Sequence, residues 1–140
     1  LAALQSARTY FKKEREPERV FYCDEYITVC FIELGNSIEA MRHAQKTLDF
    51  AITAQKSVLE TWARYRMGCA KILIGEVDEA EEELRQALSM NASACHTDWD
   101  LAIDIEKEIA KLLVSKGRVG ESDEILRRIA NLEEIMDDED

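Results

Sequence analysis

Residues 61–92, TWARYRMGCAKILIGEVDEAEEELRQALSMNA, hold two short amphipathic segments joined through a glycine. The first runs from about Thr61 to Ile74 and the second from about Val77 to Met90. Small residues fall where two helices must approach closely: Gly68 in the first, Ala80 and Ala87 in the second. Gly75 stands where the first helix has to end, because Gly takes the left-handed backbone there without strain. The acids that follow, Glu76, Asp78 and Glu79, suit the positive end of a new helix. One such hairpin cannot bury its apolar face alone, so the pattern predicts a fold made by stacking similar units.

The same punctuation recurs along the chain. Gly35 to Gly75 is 40 residues and Gly75 to Gly117 is 42. Around these glycines the apolar spacing predicts an N-terminal helix to about Glu16, stopped at Pro17, and a helix from Glu18 to Leu34. A long helix follows from Ser37 to about Ser57. After the central hairpin comes a polar connector, NASACHTDW, with Thr97 or Asp98 as a helix cap. Two further helices, Trp99 to about Lys116 and Val119 to about Met136, precede an acidic tail, 137–140.

Taken from Thr61, the central unit resembles a tetratricopeptide (TPR) repeat: Met67-Gly68, Gly75, Ala80, Leu84 and Ala87 occupy the family's Leu-Gly, loop Gly, Ala, apolar and Ala positions. Two departures are Arg64, where the family favours Trp, and Ala92, where it favours Pro. The flanking units are degenerate, with Thr28 and Ala110 at the position of Gly68. An ordinary TPR period is about 34 residues. The longer spacing here resembles the long-repeat proteins such as kinesin light chain and the LGN/Pins scaffolds, with the extra length expected in the second helix and connector. The resemblance implies an all-α, right-handed α-solenoid of about three hairpins plus an N-terminal helix. Its parts would be a helix at 1–16, repeats at 18–57, 58–92 and 97–136, and the tail.

Chemistry narrows the function. Two His and four Cys offer only the adjacent pair Cys95-His96, short of the three or four convergent ligands a metal needs, so neither metal nor cofactor is expected. No phosphate loop or nucleophile elbow occurs, and the surface acids lack an apolar pocket to split their pKa values, which argues against an enzyme. The cysteines have no framework spacing and read as reduced thiols of an intracellular, most simply cytoplasmic, protein. Net charge is −11 and lopsided: residues 1–60 carry eight Lys/Arg and nine Asp/Glu, residues 61–140 ten and twenty. Such a surface repels nucleic acid, and no apolar run approaches the roughly 20 residues of a membrane span.

What remains is binding. In TPR arrays the first helices of each hairpin line a concave groove. On this chain the resemblance puts Tyr22, Tyr26, Trp62, Tyr65, Arg66, Cys69, Lys107 and Lys111 there, a set able to anchor a protein or peptide partner. The alternative is that the aromatics pack between repeats, and the reading leans to core for Tyr26 and groove for Tyr65. Two family binding modes do not transfer. The carboxylate-clamp positions hold Glu25, Val29, Arg66, Asp104 and Glu108, while Asn36, Asn91 and Asn131 lie outside the first helices. Apolar residues of the last helix, Ile125, Ile129, Leu132 and Met136, offer a second reading as a self-association face, giving a homo-oligomer through end helices. A peptide-sensing regulatory role is a third.

Overall fold

The computed structural model describes residues 1–138. They form seven α-helices and no strand: α1 (Ala2–Lys13), α2 (Pro17–Glu33), α3 (Ser37–Thr53), α4 (Ser57–Leu73), α5 (Val77–Ser93), α6 (Trp99–Ser115) and α7 (Val119–Asp138). None is long and apolar enough to cross a membrane.

The unit of construction is shorter and more regular than the glycine spacing implies. Helices α2 to α6 are each 17 residues long. Every turn but one is three residues with a left-handed middle residue: Arg15 (φ 56°), Gly35 (72°), Gln55 (55°), Gly75 (86°) and Gly117 (78°). At each, the residue after that position donates its N–H back across the helix end. Asn36 reaches the Phe31 carbonyl at 2.9 Å, Lys56 that of Ala51 at 3.2 Å, and Glu76 that of Lys71 at 3.0 Å. This closure satisfies carbonyls the helix itself leaves unpaired. The expected long helix from Ser37 to Ser57 is therefore corrected: Gln55 breaks it, and Ser57 already opens α4. The extra residues of the long period are shared by both helices of a pair, not gathered in the second.

The exception is the α5–α6 connector. The buried Asn91 amide donates to the Asp98 carbonyl at 2.9 Å and accepts from the Asp98 N–H at 3.2 Å. Asp98 in turn caps α6 by accepting from the Leu101 N–H at 3.0 Å. At the other end, α7 continues through Asp137 and Asp138, so half of the expected tail is helix; 139–140 lie outside the described residues.

Consecutive helices pack in order, and α2 also touches α4, and α4 touches α6. No such contact joins α1 to α3, α3 to α5 or α5 to α7 among the described residues. An array whose even helices meet and whose odd helices do not is curved, with α2, α4 and α6 on the inside. Helix α4 divides the core. Leu59, Ala63, Met67 and Ala70 pack back with α2 and α3, Tyr65 packs forward with α5 to α7, and the partly buried Trp62 touches both clusters. Gly68 admits Leu84, which is fully buried; burying a Leu stabilises by about 1.5–3 kcal/mol.

Ion pairs hold the outer layer. Arg64, at the family's Trp position, donates to Glu60 at 2.8 Å and to Glu83 at 3.1 Å, joining α4 to α5. Glu81 accepts from Lys116 at 2.8 Å and Arg118 at 2.9 Å, joining α5 to the α6–α7 turn. The acidic run of α5 is thus partly an inter-helix seam, not a wholly solvated face.

Candidate functional site

The concave face is built from α2, α4 and α6; α2 and α4 are entered through the same three-residue turn, α6 through the Asn91–Asp98 connector. At its centre Arg66 donates from Nε to Glu25 Oε1 at 2.5 Å, bridging α4 to α2. The guanidinium lies 4.7 Å from the Tyr65 ring centre and 5.7 Å from that of Trp62. The two rings are tilted, 6.3 Å apart. Glu25 is buried, so the pair neutralises both charges where each would otherwise be desolvated alone.

Two hollows flank this centre. One, about 270 Å³, has an apolar floor of Val29, Ile32, Cys69, Ile72 and Leu73, with Glu33, Glu108 and the Glu25-paired Arg66 around it. The other, about 540 Å³, is lined by Ala110, Val114, Ser122 and Leu126, with Asp104, Lys107 and Lys111 around it. Tyr65 and Glu108 belong to both linings, so they form the partition. Burial raises the Tyr65 phenol above its ordinary value. Burial, with Glu108 nearby, pushes the Cys69 thiol up to about 12, which leaves it a neutral, inert wall group.

The expected site residues separate into distinct roles here. Tyr65 is 7% exposed and Tyr26 57%, so the leaning is reversed: Tyr65 is core at the groove floor and Tyr26 stands in solvent. Tyr22 is exposed too. Arg66 is spent on Glu25, and Lys107 is 3.0 Å from Glu133. Lys111 stays open, loosely paired with Glu108 at 3.4 Å.

The four residues read as a self-association face are only partly open. Ile125 and Ile129 are buried against α6, and Leu132 and Met136 are partly buried. The large exposed apolar residues of α7 are Val119, Leu126 and Ile135. Leu126 falls 42 residues after Leu84, yet it is 45% exposed where Leu84 is fully covered. That 42-residue correspondence was the signal for the larger hollow. Glu25, by contrast, carried none, since an acid in a first helix reads as surface.

No family model matches the chain, and no curated protein matches it. Among solved structures it is similar to the crystal structure of NprR in complex with its cognate peptide NprX. The TM-score is 0.79 at 20% sequence identity, over 92% of this chain and 37% of that one. The chain thus spans little more than a third of that neighbour's length. At this identity the likeness is one of fold: the chain is an all-helical, TPR-like repeat array.

Proposed function

We propose that the chain is a non-catalytic protein-interaction module that holds a segment of a protein or peptide partner in its concave groove. The observation that carries this is the pair of hollows divided by Tyr65 and Glu108, on the inner face of a curved helical array. Apolar depressions with a few fixed polar groups are what side-chain recognition uses. The peptide bound by NprR supports the same use of this fold and favours a peptide-sensing regulator as the second reading. Long-repeat scaffolds of the kinesin light chain and LGN/Pins kind are the model for the adaptor role. All four cysteines are free thiols, which fits the reducing cytoplasm.

The test is selection of a displayed random-peptide library on the immobilised chain, followed by affinity measurements on Leu73→Glu and Tyr26→Ala. Both residues are exposed on the inner helices, so folding is expected to survive. The selected peptides should lose affinity by about tenfold or more on Leu73→Glu, the loss typical of an anchor site. Peptides that bind this variant as well as the native chain would move the site elsewhere.

A further inference from the structure

Resting on that reading, we infer that the segment taken by the groove is cationic: apolar anchor side chains accompanied by Lys or Arg. The argument is a census of charge on the inner face. From sequence, Arg66, Lys107 and Lys111 offer themselves to an acidic partner. In the structure Arg66 is bound by Glu25, beneath it and buried, and its guanidinium is covered by Tyr65 and Trp62. Lys107 is held by Glu133 of α7. Of the three cations, only Lys111 projects freely, and its nearest carboxylate is Glu108.

Two carboxylates of this face have the opposite fate. Glu33, at the end of α2, makes no ion pair among the described residues, nor does Asp104 on α6. Glu33 and Glu108 stand on opposite walls of the smaller hollow, whose floor is aliphatic. Asp104 and Glu108 border the larger. A side chain entering either hollow therefore meets methyl groups below and one unpaired carboxylate at the rim, Glu33 at the smaller and Asp104 at the larger, with Glu108 between them held only loosely by Lys111.

That combination selects between partners. An aliphatic residue gains by burial in each hollow. A neighbouring Lys or Arg gains a rim carboxylate, whereas an Asp or Glu meets like charge across a partly desolvated gap, which is repulsive and excludes the wrong partner. The chain's net charge of −11 acts in the same direction at long range, speeding encounter with a basic segment.

The library selection supplies the test. Peptides recovered on the native chain, and sensitive to Leu73→Glu, should be enriched in Lys and Arg beside Leu, Ile, Val, Met or Phe. Their affinity should fall by about tenfold on Glu33→Gln/Glu108→Gln, the sum of two exposed pairs, and fall with added salt. The control Asp123→Asn/Glu124→Gln, on exposed α7, should change neither. Enrichment in Asp or Glu, or binding indifferent to Glu33→Gln/Glu108→Gln, would overturn the cationic assignment and leave the groove standing. Recovered peptides that ignore Leu73→Glu would overturn both.

Discussion

A Cβ placed on Gly68 would lie 2.7 Å from both Cγ and Cδ2 of Leu84. The Cδ2 methyl could swing aside about χ2, but Cγ moves only if Leu84 leaves its χ1 rotamer or the helix that carries it shifts. Gly68→Ala should therefore destabilise the fold by about 1–3 kcal/mol in a urea titration, despite Ala's better helix propensity. The first hairpin solves the same contact in reverse, with Thr28 and Ala44, both fully buried, at the matching positions. Gly68→Ala combined with Leu84→Ala should accordingly cost less than the sum of the two single changes.

The turns make a second prediction. Gln55 and Arg15 hold the left-handed conformation that Gly holds at the other turns, and a side chain there costs roughly 1 kcal/mol. Gln55→Gly should stabilise the protein by up to about 1 kcal/mol, because relief of that strain outweighs the added freedom of the unfolded chain. Gly75→Ala should lose about as much from backbone alone, since nothing lies within 4 Å of its would-be Cβ. Equal urea midpoints for native and Gln55→Gly chains would refute the strain argument.

These residues show where sequence was informative. The glycines at 35, 75 and 117 announce their turns because Gly has a conformational reason to be there. Gln55 has none, so the helix from Ser37 reads on to about Ser57 and the next reads as starting late, at about Thr61. Helical spacing also put Tyr26 and Tyr65 on the inner helices, since a period defines a face. It could not rank their burial, because that depends on the neighbour: Tyr65 has α6 to pack against, and Tyr26 stands clear of the core. The burial of Ile129 was illegible for a related reason. Apolar residues spread over α7 look like surplus surface until α6 is seen to cover some of them.

The Glu25–Arg66 pair joins stability to the groove. Glu25→Ala would leave the guanidinium under two rings without its carboxylate. With the Arg66 side chain 20% exposed, the expected cost is roughly 2–3 kcal/mol, at or below the usual cost of breaking a buried pair. Glu25→Leu with Arg66→Met should recover most of that loss, since an apolar pair of similar bulk needs no charge balance. Arg66→Glu is then a folding variant first, setting two carboxylates together, and a melting curve should show it before any binding assay does.

The Glu81 seam predicts the response to acid. The hydrogen bond from Lys116 is the largest influence and, with a further one from Arg85, holds its carboxyl down at about 2, below the ordinary value of 4.5, even though burial, second in size, pushes it up. A carboxylate depressed on folding contributes stability that is fully present above its unfolded value. That contribution is lost as pH falls towards the folded one. The native chain should therefore lose stability progressively from about pH 4.5 down to about 2, α6 and α7 loosening from α5 as the pair breaks. Glu81→Gln removes the charge at every pH. It should melt several degrees below the native chain at neutral pH and converge on it near pH 2. Melting curves across that range read the difference directly. A gap that persists unchanged into acid would mean that Glu81 acts by packing and not by its charge.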